Sequence, residues 1–239
     1  MTMPRMNGLG QPVGAPVPGW TRRELPQRTP MKGRFCTLEP LALAHADALH
    51  AANSLDVDGR NWTYLFDGPF ASVDEYREWV AKAMRTDDPL FYAIVNAQGQ
   101  PVGVGALMRI DPAHGVIEIG HLHFSRSMQR TPIGTEAIYL MLRRAFDELG
   151  YRRVEWKCDS LNAPSRAAAL RFGFTYEGLF RQAVIYKGRN RDTTWFSIVD
   201  AEWPARRAAY EHWLAPANFD ADGRQRRKLA ASMPRSPNS

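Results

Sequence analysis

Residues Ser127–Ala137, SMQRTPIGTEA, stand between a strand-like run, GVIEIGHLHF (115–124), and a strongly helical one, TEAIYLMLRRAFDELG (135–150). A strand that enters a helix through a short polar turn with a glycine is a common seat for phosphate. The first amides of the helix lack internal partners, and its N-terminal end carries positive dipole charge. Thr131 can cap this helix and Pro132 can take its first position, where a missing N–H costs nothing. The amides of Ile133, Gly134 and Thr135 are then left free to point outward. Pro132, however, stands where a phosphate cradle would place another glycine. On the loop alone, an anion site and a proline-stiffened turn are equally good readings. No Gly-Lys-Ser/Thr follows, and no second βαβ unit follows in dinucleotide-binding order, so the two commonest nucleotide loops are excluded.

Working outward, the chain alternates helical and extended patterns. GRFCTLE (33–39) reads as a strand and LALAHADALHAA (41–52) as a helix; a long Asp-, Gly- and aromatic-rich loop follows. Ser72 caps a helix, VDEYREWVAKAMR, with acids in its first turn and Lys82 and Arg85 near its end. LFYAIVN, PVGVGALMRI and residues 116–124 form a three-strand meander. The helix after the loop is closed by Gly150. YRRVEWKCD is an alternating strand, APSRAAALRF a short helix closed by Gly173, and LFRQAVIYKG and DTTWFSIVD two final strands before a helix that starts at Pro204. The expected fold is α/β (α+β): a mixed, mostly antiparallel central sheet of about seven strands with helices on both faces.

The 239 residues suit one domain with tails, and a hydrophobic share of 44% with seven tryptophans suffices for a core. No apolar run is long enough to span a bilayer, and the first twenty residues lack a signal-peptide core, so a cytoplasmic protein without membrane attachment is expected. Cys36 and Cys158 fall in strand-like runs, as reduced core thiols would. The net charge of +6 is concentrated at the ends. Residues 1–34 hold six basic groups and one acid, residues 219–239 hold five and two, and the body between is slightly acidic. This divides the chain into a disordered Pro/Gly-rich tail (1–30), a folded domain (31–218) and a disordered basic tail (219–239). The body shows no basic stripe with interleaved aromatics, so no specific nucleic-acid partner is expected; the tails leave ribosome association open. His45, His50 and His212 lack metal-ligand spacing, and no metal is expected.

The strand YRRVEWKCD runs into Asn162-Ala-Pro-Ser165, which places polar groups at the same sheet edge as the loop, where open sheets bind ligands. The succession Gln129-x-x-x-x-Gly134, Asn162-x-x-Ser165, Gly173-Phe174 resembles the Gcn5-related N-acetyltransferases (GNAT). EIG (118–120), NAPS (162–165), GF (173–174), EG (177–178) and RQA (181–183) are similar to the branch that acetylates ribosomal-protein N-terminal serines. The similarity covers about residues 32–200.

The resemblance implies acetyl-CoA as co-substrate and no metal. The loop of Gln129, Arg130, Ile133, Gly134 and Thr135 would hold the pyrophosphate, with Pro132 removing one amide and Arg126 and Arg130 adding charge. The backbone of Leu122, His123 and Phe124 would pair with the pantetheine arm and polarise the thioester carbonyl, and Asn162 would bond the arm from the other side. An amine would attack directly. The family's tyrosine acid is replaced by Ala169, so Ser165 is the expected thiolate donor, the alternative being a residue that only caps backbone. The branch's glutamate base is replaced by Val184. Glu118, through a water, is the expected base, with His121 or His123 as alternatives. Period two puts Glu118, Leu122 and Phe124 on one face and Ile119, His121 and His123 on the other unless a bulge intervenes. Trp62 and Tyr64, with Phe66, would wall the amine site. Asp56, Asp58 or Asp67 would attract a cation, and Asp192 and Thr193 would face the same pocket. The expected activity is acetyl transfer to a primary amine, either a protein N-terminus or a small amine, and the rival reading is an acyl-CoA-binding module without turnover. The family's last strands often pair between subunits, so a homodimer is an expected assembly.

Overall fold

The computed structural model describes residues 5–234. A small hairpin, β1 (Arg5–Met6) and β2 (Pro12–Val13), precedes the main sheet. That sheet is built from β3 (Met31–Lys32), β4 (Cys36–Pro40), β5 (Leu90–Asn96), β6 (Pro101–Asp111), β7 (Val116–Phe124), β8 (Arg153–Asp159), β9 (Thr175–Tyr186) and β10 (Arg189–Val199). Its order is β3-β4-β5-β6-β7-β8-β10-β9. Every pairing is antiparallel except β7 with β8. The expected mixed, mostly antiparallel sheet is therefore present, with an eighth strand in the two-residue β3.

The helices are α1 (Ala46–Asn53), α2 (Val73–Ala83), α3 (Pro132–Arg143), α4 (Ala163–Arg171) and α5 (Trp203–Leu214). Their starts follow local chemistry. The Ser72 hydroxyl accepts the Glu75 amide at 3.2 Å, and the Asn162 carboxamide oxygen accepts the Ser165 amide at 3.1 Å. Thr131 caps α3, and Pro132 occupies its first turn as expected. Strand alternation sends β-sheet side chains into two cores. One packs Ile117, Ile119, Val154, Trp156 and Ile198 against α3, α4 and α5; the other packs Ala93, Val104 and Ala106 against α1 and α2. Cys36 and Cys158 are buried, unpaired thiols.

Both ends of the folded domain depart from the expected boundaries. Trp20 donates to the Ala113 carbonyl at 2.8 Å, the Tyr151 and Tyr92 hydroxyls donate to Glu24 and Gln27, and Arg144 donates to Thr29, so residues 20–30 are strapped along the body. Beyond 218, Leu229 is fully buried in the main core, and Phe219 stacks edge-on against Trp213. Basic composition masked these anchors: a few aromatic and aliphatic contacts outweigh the polar character of each segment. Residues 1–4 and 235–239, expected to be disordered, lie outside the described residues. Among the described residues no helix is long and apolar enough to cross a membrane.

Candidate active site

β7 and β8 pair only through Val116–Glu118 and Arg153–Glu155, then separate. The gap becomes a cleft of about 1450 Å³. It is lined on one side by Gly120–Phe124 and on the other by Lys157–Asp159, Asn162 and Ser165. The loop 127–131 and the start of α3 close one end. Gly134 sits close under Phe124, where an added Cβ would lie 3.2 Å from the ring, so a side chain there would push the loop off the strand.

The loop keeps one free amide rather than three. The Ile133 amide donates to the Thr131 hydroxyl at 3.3 Å, and Thr135, four residues after the Thr131 cap, begins the helix's own ladder on the Thr131 carbonyl, which leaves Gly134 as the free first-turn donor at the cleft. Ile133 itself does not line the cleft. Gln129 donates to the Phe124 carbonyl at 2.8 Å and to Asn61 at 3.1 Å, tying the loop to the strand end. Arg130, in left-handed backbone conformation, lines the cleft, whereas Arg126 is spent on Asp56 at 2.9 Å. At the far side of this end stands Arg171 of α4. Its guanidinium donates to Thr135 at 2.9 Å, lies over the Phe172 and Trp213 rings, and forms no ion pair among the described residues. Phe219, Gly223, Arg224, Gln225 and Lys228 complete the wall there, with Gln225 accepting from Trp213 at 2.9 Å.

A bulge in β7 corrects the facing read from period two. Val104 opposes His123 and Ala106 opposes Gly120, so Gly105 faces both His121 and Leu122, and His121 adopts φ +46°. The alternation restarts after it. Leu122 and Phe124 point with Ile117 and Ile119 toward α3. His121 contacts Phe91 at 5.1 Å, and His123 stacks on Trp62 at 3.9 Å, both on the α1–α2 side with Glu118. Burial lowers the basicity of His123 to a pKa of about 4 against the pull of Asp56, and burial also lowers that of His121. Both are neutral imidazoles near pH 7. Burial raises the Glu118 carboxyl, opposed by Lys157 at 2.9 Å and Arg109 at 3.3 Å.

Across the cleft the Ser165 hydroxyl oxygen accepts from the Trp156 indole N–H at 3.0 Å. That leaves the hydroxyl's own proton free for another acceptor in the cleft. The Asn162 oxygen accepts the Ser165 amide, and its NH₂ group has no partner among the described residues, leaving it open to a ligand.

The acceptor half is partly as expected and partly different. Tyr64 and Phe66 line it, and the Tyr64 hydroxyl donates to the Leu161 carbonyl at 3.1 Å. Trp62 is buried beneath His123 and does not reach the main cleft. Asp192 is outside: its carboxylate accepts the Gln182 amide at 2.7 Å and the Asn190 side chain at 3.0 Å, pinning a second bulge between β9 and β10. Thr193 is buried and accepts from Arg191 at 3.1 Å. Asp56 is locked by Arg126 and the Asn61 amide, which hold its carboxyl below the usual range although burial acts to raise it. Asp58 pairs with Arg60. Asp67 borders a smaller cavity beneath the cleft with Trp62 and His123.

Trp156, Asp159, Arg171 and Arg191 line the cleft without having been singled out in the sequence, and Tyr186 stands against Asp159 behind it. In RVEWKCD the period-two split already places Glu155, Lys157 and Asp159 together on a polar face, a signal present in the sequence. Asp159 accepts from Tyr186 at 2.7 Å and from the Leu161 amide at 2.9 Å. Burial and Asp159 push the Tyr186 hydroxyl up to about 12, so it stays a donor.

Two parallel strands splayed over a cleft, with a helix start at one end and a hydroxyl on the opposite wall, define a coenzyme-A-type acyltransferase fold. The chain belongs to the GNAT acetyltransferase family, whose domain model matches residues 36–175. It is similar to a solved GCN5-related N-acetyltransferase from Brucella melitensis, with 49% identity over 90% of this chain and 99% of that one and a TM-score of 0.88. Among curated relatives, a Bacillus subtilis protein named "Putative ribosomal N-acetyltransferase YdaF" is 28% identical over 149 residues, 59% of this chain and 78% of that protein. RimL, a ribosomal L7/L12 alpha-N-protein acetyltransferase solved with coenzyme A, shares the fold at 24% identity and a TM-score of 0.62, over 72% of this chain and 98% of its own. The protein is an N-acetyltransferase of this family.

Proposed function

We propose that this enzyme transfers the acetyl group of acetyl-CoA to a primary amine of its acceptor by direct attack, whether that amine belongs to a protein N-terminus or to a small molecule. The free hydroxyl proton of Ser165, held in place by Trp156, carries the proposal, because it stands on the cleft wall where a leaving thiolate needs a donor. The Gly134 amide, with Arg130 and Arg171, meets the pyrophosphate and the remaining phosphate of the coenzyme. The exposed backbone of Leu122–Phe124 receives the pantetheine arm, with the Asn162 NH₂ opposite. The amine attacks the thioester carbon, the C–S bond breaks, and the electron pair goes to sulfur beside Ser165. The ammonium proton passes to Glu118 directly or through a water. An α-amino group with a pKa near 8 is already about one-tenth neutral at pH 7, so a modest base is enough.

An acceptor screen with acetyl-CoA, following thiol release with N-terminal peptides beside small amines, tests the reading. Turnover that collapses in Ser165→Ala supports it. Coenzyme binding without thiol release for any amine would make the cleft a binding module instead.

A further inference from the structure

Most charges in the acceptor half cancel one another. Lys157 bridges Glu118 and Glu155 at 2.9 and 2.6 Å, Arg109 adds to Glu118, and Arg153 spans Glu155 and Glu177. Two cleft-lining groups stand apart from this network. Asp159 is 4% exposed and has only neutral partners, the Tyr186 hydroxyl and the Leu161 amide. Arg191 is 7% exposed; its Nε donates to the neutral Thr193 hydroxyl, and its guanidinium lies over the Phe66 and Tyr186 rings at 5.2 and 5.8 Å. Neither forms an ion pair among the described residues. A buried charge without a counter-ion is costly, and burying one of each sign on either side of one tyrosine is costly twice. Ring stacking satisfies the face of a guanidinium but not its in-plane terminal N–H groups, which suit a carboxylate in bidentate geometry.

We infer that the acceptor is a zwitterion of the amino-acid class, its ammonium drawn toward Asp159 and its carboxylate held by Arg191. The inference rests on the proposed transferase reading and narrows its substrate. Charge complementarity selects against acceptors that lack the anion, because these leave Arg191 buried and unpaired. Ammonium entry at Asp159 leaves the proton to be lost before attack, with Glu118 on the neighbouring strand.

The test uses matched acceptors: free amino acids and ω-amino acids of increasing spacing, each beside its carboxamide, and a serine-first peptide amide. A charge-assisted pair of about 1.5–3 kcal/mol corresponds to roughly 10- to 150-fold in kcat/KM. The wild-type enzyme should prefer at least one acid over its amide by that factor. In Arg191→Gln the acid-to-amide ratio should fall to about one, and Arg191→Lys should restore part of it; a ratio is insensitive to the fraction of folded enzyme. Equal turnover of acids and amides, faster turnover of the peptide amide, or an unchanged ratio in Arg191→Gln overturns the inference while leaving the transferase reading intact. Absence of thiol release with every amine overturns both.

Discussion

If Ser165 donates to the departing sulfur, its loss should be readable before any acceptor is known. A thiolate that accepts one hydroxyl hydrogen bond gains about 1.5–3 kcal/mol over an unbonded one in a desolvated site. That is about one to two pKa units on the thiol of bound CoA, and about 10- to 150-fold in kcat where C–S cleavage limits the rate. Ser165→Ala should raise the thiol pKa of bound CoA by that amount, measured by thiolate ultraviolet absorbance across pH. Trp156→Phe keeps the hydroxyl but removes the N–H that orients it at 3.0 Å, and should cost only about 1 kcal/mol, or roughly fivefold in rate. The two residues act through one hydrogen bond, so their effects should not add: the double variant should match Ser165→Ala in rate. In stability the order reverses. Trp156 is 4% exposed, and Ser165→Ala leaves its indole N–H unpaired at about 1–2 kcal/mol, part of which Trp156→Phe restores. A thiol pKa and a kcat unmoved by Ser165→Ala would refute the thiolate role, and additive rate losses would refute the orienting role of Trp156.

Other consequences follow from the same geometry. Arg224→Ala/Lys228→Ala changes only exposed side chains at the end of the cleft, and should weaken acetyl-CoA about 5- to 10-fold in calorimetry, more at low salt than at high; an unchanged Kd would show that the C-terminal wall is passive. Glu136 accepts the Arg34, Phe35 and Cys36 amides at 2.7, 2.6 and 2.8 Å, so Glu136→Ala should cost about 3–5 kcal/mol and lower Tm by roughly 10 °C, seen by calorimetric unfolding. His123 has a folded pKa of about 4 against 6.5 unfolded, so the unfolded chain binds the extra proton as pH falls below 6.5. Denaturant midpoints should therefore show about 2 kcal/mol lost between pH 7 and pH 5 that is absent from His123→Gln. Pro132→Gly returns an amide to the first turn, but the Gly134 amide already stands at the cleft; acetyl-CoA affinity should stay within about twofold while stability drops by about 1 kcal/mol from the freer unfolded chain.

What the sequence made legible is what depends on local chemistry. Caps at Ser72 and Thr131 and the glycine after α4 are local events, and each is found where its residue type puts it. Long-range pairing decides the rest. The His121 bulge arises because Gly105 opposes two residues, a fact of β6–β7 register that no reading of β7 alone contains. Asp192 opens the last strand run DTTWFSIVD, where it is expected to face the pocket with Thr193, yet a second bulge turns its carboxylate back onto β9. Trp62 falls among loop aromatics that look alike in sequence; only the stack on His123 separates the buried one from Tyr64 and Phe66 at the cleft.

The bulge is also what lets one strand serve both substrates. Without it, Leu122 and Phe124 would share Glu118's side, and the apolar floor and the polar wall would be mixed on each face. With it, the cleft's coenzyme side is floored by Leu122 and Phe124 against α3, while Glu118 and His121 turn to the acceptor side. The same extra residue disrupts regular ladder pairing over Gly120–Phe124, the stretch that splays from β8. Removing the left-handed residue's freedom should therefore strike binding and chemistry together. His121→Gly relaxes φ +46° and should keep the bulge and coenzyme affinity, whereas His121→Val, β-branched and strained there, should lose both stability and acetyl-CoA binding in thermal-shift titration. Equal behaviour of the two variants would mean that the imidazole, rather than the backbone turn it occupies, is what position 121 contributes.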